Sequence, residues 1–208
     1  MHDLGVMRIR SIIAMCAMFC LAFAGCGEKE DIVEDQRNDI VRYLTSSHNP
    51  RLIAQEDVSN SIESQPHFYE RLNQNLYRYI ATYYDEGREA LPQVEMGDKV
   101  SLVFMAAAFE GSAPALNQVY LTNDANVLSQ LAQAGLSTTY WSSEPLVVEL
   151  GHTKIIDGVV ESLVGCRLGD QVEAYMTLEA AYDKEVLGVV PKDSAVVWIY
   201  VITDVVKK

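Results

Sequence analysis

Between Leu76 and Val205, short β-favouring runs alternate with turn residues, and this pattern limits the folds that the chain can adopt. The runs lie near residues 76–84, 100–104, 119–121, 145–150, 172–177 and 195–205. Residues 158–164 have apolar side chains at helical spacing, and a segment capped by Asn123 or Asp124 could form another helix ending at Gly135. The pattern predicts the α+β class, with a mostly antiparallel sheet of five to six strands around one short helix.

The segment before these strands has a different character. Residues 31–44 carry apolar side chains at helical spacing, and Asn49-Pro50 ends this pattern because a residue before proline avoids the helical region. Residues 51–66 are polar and show no clear period. We therefore predict a domain over residues 75–208, preceded by an acidic tether with a helical extension over 26–74.

The first 25 residues have the layout of a secretory signal. Arg8 and Arg10 precede an uncharged apolar run over residues 12–24, which is shorter than the ~20 residues that a membrane span needs. The run ends in Phe23-Ala24-Gly25-Cys26, which resembles the bacterial lipobox. That resemblance implies cleavage before Cys26, lipidation of its thiol and a lipid anchor in the bacterial cell envelope, at the outer membrane. A plain cleaved signal with an incidental cysteine is the alternative.

The charge of the mature chain limits its partners. Loss of Arg8, Arg10 and Asp3 from 16 basic and 29 acidic residues leaves 14 and 28, a net charge of −14. Such a chain is not expected to bind nucleic acid, which requires basic patches. Just after the cysteine, Lys29-Glu30-Asp31 resembles the surface-export signal of Bacteroidota lipoproteins, and a solvated acidic tether is the alternative.

The residue inventory predicts neither a metal nor a cofactor. Cys16 and Cys20 belong to the signal, so Cys166 is the one cysteine left beside Cys26, and no internal disulfide can form. The four histidines have no recognisable ligand spacing. No nucleophile elbow or phosphate-binding loop is present in the sequence.

Several short motifs resemble the FKBP-type peptidyl-prolyl isomerase family, in the family's order and near its spacing. They are Met96-Gly97-Asp98-Lys99-Val100, Pro145-Leu146-Val147-Val148-Glu149-Leu150-Gly151, Ile155-Ile156-Asp157-Gly158-Val159, Leu168-Gly169-Asp170, Ala181-Tyr182 and the segment from Pro191 to Trp198. The resemblance covers residues 75–208 and implies the FKBP-like fold.

The resemblance also implies a function, the cis-trans isomerisation of X-Pro bonds in proline-containing polypeptides, with no cofactor. It assigns catalytic positions to Tyr120, Ile156 and Tyr182, with the Ile156 N–H and the Tyr182 hydroxyl holding the substrate. The implied substrate-binding positions are Phe104, Leu121, Leu146, Val148, Ile155, Val159 and Trp198. Exported proteins are the expected clients.

Two departures from the family pattern leave alternatives open. Leu121 stands where the family has an aspartate, and Val159 stands where a tryptophan forms the pocket floor. Weak activity is therefore expected. The alternatives are a non-catalytic module that binds a peptide or an exported partner in the same groove, and a scaffold whose insertion over 124–144 does the binding.

Overall fold

The structure is a computed structural model that describes residues 29–139, 141–183 and 190–208. Residues 29–42 form helix α1, which continues as a π-helical turn over Tyr43–Ser47. The strands are β1 Ile53–Ala54, β2 Phe68–Asn73, β3 Leu76–Ile80, β4 Lys99–Phe109, β5 Val119–Thr122, β6 Leu146–Glu149, β7 Gln171–Met176 and β8 Ala195–Val206. Two further helices are α2 Ala125–Gln133 and α3 Asp157–Leu163.

The strands form one sheet in the order β1-β2-β3-β7-β8-β4-β5, with β6 also paired to β4. All of these pairs are antiparallel except β1 with β2. The predicted α+β class and the helix before the sheet are confirmed. The described residues contain eight strands, more than the five to six predicted, because β1 and β2 come from residues 53–73.

Strand β2 escapes sequence analysis because it lacks an alternating pattern. Phe68 and Tyr69 are buried, whereas the last three residues of the strand, Arg71, Leu72 and Asn73, are exposed. Pairing with β3 on one edge and with β1 on the other makes this segment a strand. The domain boundary predicted at residue 75 falls in the turn between these two strands.

Strand β4 forms the centre of the site region. It runs five residues beyond the predicted end at Phe104, through Met105-Ala106-Ala107-Ala108 to Phe109. Strand β8 pairs with it along its whole length, while β5 and β6 lie end to end along its other edge. Alanine disfavours strands by itself, so these partners decide the conformation.

The sheet is buried on both faces, since alternate residues of a strand point to opposite sides. On one side Leu102, Val172 and Leu163 of α3 belong to one apolar core. On the other, Tyr77 and Tyr175 pack in a second core that also contains Ile40, Leu44, Leu52 and Leu131. The chain divides into two compact units after Asp35; the described part of the first is helical, and Gln36–Lys208 contains both cores.

Helix α3 is fixed at both ends. At its start Gly158 donates to the Ala180 carbonyl, and a Cβ at Gly158 would lie 2.6 Å from that oxygen and from Met176 Sδ. At its other end the buried Arg78 guanidinium donates to the Ser162 and Val164 carbonyls at 2.8 and 2.7 Å. Only glycine permits the first contact, and the second satisfies carbonyls that the helix end leaves open.

Candidate active site

Three neighbouring strands bring aromatic side chains to the same core. Phe104 of β4 stacks on Trp198 of β8, with ring centroids 4.6 Å apart and planes 9° from parallel. Tyr120 of β5 meets Tyr182 edge to face at 5.7 Å. We call Phe104, Tyr120, Tyr182 and Trp198 the aromatic cluster; Phe104 and Trp198 are buried, and the two tyrosines are half-buried.

The polar atoms of the aromatic cluster form a chain of hydrogen bonds. The Trp198 indole N–H donates to the Tyr120 hydroxyl at 2.9 Å, and the Tyr120 hydroxyl donates to that of Tyr182 at 3.1 Å. Burial raises the pKa of Tyr120 and of Tyr182. Both phenols are therefore neutral at physiological pH and can act as hydrogen-bond donors.

The apolar residues of the predicted site pack in the same core as this cluster. Val148 and Val159 are fully buried in the same core, and Leu146, Ile155 and Ile156 are half-buried against it. The Ile156 carbonyl accepts from the Val159 amide at the start of α3. Within the described residues, no hydrogen-bond acceptor is recorded for the Ile156 N–H, which suits its predicted role.

The structure thus gathers most predicted site residues around one core, with one exception. Leu121 does not join them, and 38% of its surface is exposed, because the neighbouring residue Tyr120 takes the side of the strand that packs on the core. The catalytic and substrate-binding roles of all these residues stay predictions. Cys26, the predicted lipidation site, lies outside the described residues.

Hydrogen bonds connect the insertion over 124–144 to strand β4 of the site. The buried Asn123 side chain accepts from the Phe104 amide at 2.7 Å and donates to the carbonyls of Leu102 and Glu144 at 2.8 and 2.9 Å. It therefore joins both ends of the insertion to β4. As predicted from the cap pattern, Asp124 begins α2, accepting from the amides of the second and third residues beyond it.

Sequence reasoning missed a groove beside Tyr120. This cavity of about 310 Å³ is lined by Asn117, Val119, Tyr120, Leu131, Leu136, Ser137 and Trp141. Leu131 also belongs to the second core, and Trp141 packs against that core. The amphipathic spacing of α2 and a tryptophan just after it were the available signals, but neither indicates which strand the helix contacts.

Three properties of the described residues bear on other kinds of site. No group of three or more His, Cys, Asp or Glu side chains among them is placed to hold a metal ion. None of the helices in the described ranges combines the length and apolar character of a membrane span. Cys166 is fully buried, and burial raises its thiol pKa to about 12, so it is not a reactive thiolate.

The arrangement defines an α+β domain in which one sheet packs on a short helix beside an aromatic site. Residues 125–201 match the family of FKBP-type peptidyl-prolyl cis-trans isomerases. The resemblance of the motifs to this family is therefore confirmed over residues 125–201.

Two solved structures are similar to this chain. The N-terminal domain of FKBP42 from Arabidopsis thaliana is 12% identical with a TM-score of 0.47, over 71% of this chain and 96% of that one. A structure of the three FKBP domains of wheat FKBP73 is 14% identical with a TM-score of 0.46. That match covers 65% of this chain and 48% of the wheat chain. Comparison with curated proteins found no match.

Proposed function

We propose that this chain is a peptidyl-prolyl cis-trans isomerase of low activity that assists the folding of exported proteins. The observation that supports it is the meeting of Tyr120, Tyr182 and Trp198 at the same core that the half-buried Ile156 packs against. These side chains offer an apolar surface with a hydroxyl donor and an amide donor close to the same core.

Amide physics explains how such a site works without a cofactor. Rotation about an X-Pro bond breaks amide resonance, which imposes a barrier of ~18–20 kcal/mol. The twisted amide is less polar than the planar one, so an apolar surface favours it relative to water. A hydroxyl and an N–H that hold the flanking carbonyls keep the bond in place while it rotates.

A peptide assay tests the proposal. We expect the chain to accelerate isomerisation of a tetrapeptide with one Leu-Pro bond, and Tyr182→Phe to weaken peptide binding about threefold to tenfold through loss of one hydrogen bond. Tyr84→Phe, in the turn after β3, is the matched control and should change neither quantity. A wild-type chain that neither binds nor isomerises the peptide would exclude the proposed function.

A non-catalytic binding module is the second candidate, and the groove beside Tyr120 favours it. Leu136 in that groove is 46% exposed, and Val159 supplies little surface where the family has an aromatic floor. On this reading, the wild-type chain binds proline peptides without accelerating their isomerisation. Leu136→Ser would then reduce binding, whereas the same change at exposed Val147 would not.

The proposed location is the bacterial cell envelope, with a lipid anchor on Cys26. The supporting features are the charged start, the apolar run and the small residues before the cysteine. We expect the full-length chain to incorporate labelled palmitate and partition into detergent, and Cys26→Ala to abolish both. A Cys26→Ala chain that stays fully membrane-bound would contradict the anchor.

A further inference from the structure

The direction of the hydrogen bonds in the aromatic cluster follows from the donors available. An indole N–H can only donate, so the bond of 2.9 Å between Trp198 Nε1 and the Tyr120 hydroxyl has one possible direction. The Tyr120 oxygen is therefore an acceptor at this position. Its own proton must find a partner elsewhere.

The partner of that proton is the Tyr182 oxygen, 3.1 Å away. In the reverse arrangement the Tyr120 oxygen would accept from both neighbours, and its proton would be left without an acceptor among the described residues. If Tyr120 donates, both hydrogen bonds of the cluster form and no proton of Tyr120 is left without a protein partner. Tyr120 therefore donates and Tyr182 accepts.

The proton of Tyr182 is then directed away from the cluster. No described residue is recorded as its acceptor, and Tyr182 is only half-buried, so an incoming group can reach it. A hydroxyl that presents its proton selects a hydrogen-bond acceptor, such as the carbonyl oxygen of a peptide.

We infer that Trp198 and Tyr120 are positioning residues that fix the Tyr182 hydroxyl as a donor to a carbonyl of the bound proline segment. This inference rests on the proposed function, because it requires that such a segment binds beside Tyr182. The relay needs both an indole and a phenol at these positions. A chain of hydrogen bonds also strengthens its last donor, because each bond polarises the next.

A double-mutant cycle tests the relay. Tyr120→Phe keeps the ring but removes the link, so we expect the Kd for a Leu-Pro tetrapeptide to rise about threefold to tenfold. In a Tyr182→Phe background the same change should have almost no effect, because the hydroxyl it orients is gone. Trp198→Phe, which preserves an aromatic ring against Phe104, should behave like Tyr120→Phe.

The NMR signal of the Trp198 indole proton reports on the hydrogen bond itself, which peptide binding does not. The chain has two tryptophans, and the N–H signal of Trp198, not that of Trp141, should lose its hydrogen-bonded shift in Tyr120→Phe. Additive losses of affinity in the cycle, with a binding-competent wild type, would overturn the relay alone. Absence of peptide binding in the wild type would overturn the proposed function and this inference together.

Discussion

Among single residues, Val159 and Trp198 differ in the aromatic surface that they supply to the core. Val159 on α3 is fully buried, whereas Trp198 on β8 stacks on Phe104. The family resemblance implies an aromatic floor at position 159. In the structure Val159 is enclosed in the core, and the large aromatic ring is that of Trp198, on the last strand.

This packing predicts that an added ring at position 159 will not fit. We expect Val159→Trp to lower the free energy of unfolding by about 1–3 kcal/mol through overpacking, measured by urea denaturation. Val147→Trp, at a position that is 55% exposed, is the control and should have little effect. A stable Val159→Trp chain with raised isomerase activity would show instead that the core can open to form a floor.

At the scale of elements, α3 depends on a buried arginine from a strand. Arg78 of β3 pairs with Glu70 of β2 at 2.6 Å and donates to two carbonyls at the C-terminal end of the helix. The same helix carries Val159 and follows directly after Ile156. The ion pair therefore connects the β2–β3 hairpin to the site.

Removal of that arginine should be costly. We expect Arg78→Met to lower the free energy of unfolding by about 3–5 kcal/mol, because Glu70 and the two carbonyls lose a buried partner. Lys154→Met removes an exposed charge and serves as the control. Equal stability of the two variants in denaturant titrations would mean that Arg78 does not hold the helix.

A second link joins the π-helical turn region to the sheet through a histidine. The buried His48 ring contacts the Pro50 carbonyl through Nδ1 and the Glu173 carboxylate through Nε2, at 3.1 Å for the latter. Both partners accept, which favours two N–H donors and thus the imidazolium. Burial alone would lower the His48 pKa, but the bonds to Glu173 and Pro50 outweigh it and raise the pKa above 6.5.

The sign of the pH dependence follows from this shift. A pKa raised in the folded state adds stability that is fully present below pH 6.5 and is lost as pH rises through the folded-state pKa. We expect the stability advantage of the wild type over His48→Gln to shrink as pH increases from 5.5 to 8.5, measured by denaturation at each pH. An advantage that stays constant or grows would contradict a protonated His48.

For the molecule as a whole, the decisive feature is a sheet covered on both faces. Tyr77 and Tyr175 on the face opposite α3 are buried by a core that includes Ile40, Leu44 and Leu52. These three residues precede the predicted start of the domain at residue 75. The helical extension predicted over 26–74 therefore packs apolar side chains against the sheet.

Truncation tests this dependence. A chain that begins at residue 67 should lose the side chains that cover Tyr77 and Tyr175, and it should therefore unfold at a lower denaturant concentration. We expect its free energy of unfolding to fall by about 2–5 kcal/mol for each large apolar side chain removed from the core. A chain that begins at residue 29 is the control and should retain the stability of the longer protein. Equal stability of the two truncated chains would place the domain start after residue 66.

Sequence alone determined the features that depend on neighbouring residues. Alternating β-favouring runs located β3, β6, β7 and β8, and the cap candidates Asn123 and Asp124 located the start of α2, because strand faces and helix caps are set within a few positions. The ordered motifs indicated the FKBP-type domain for the same reason. Each motif is a local turn or strand end.

Only the tertiary structure decided which distant side chains meet. Tyr120 lies 62 positions from Tyr182 and 78 from Trp198, yet their hydroxyl and indole groups form one relay. Pairing with β8 extended β4 through its alanines, and pairing with β3 made a strand of β2, which has no strand pattern. These outcomes depend on free energy gained between segments far apart in the chain, which no local pattern contains.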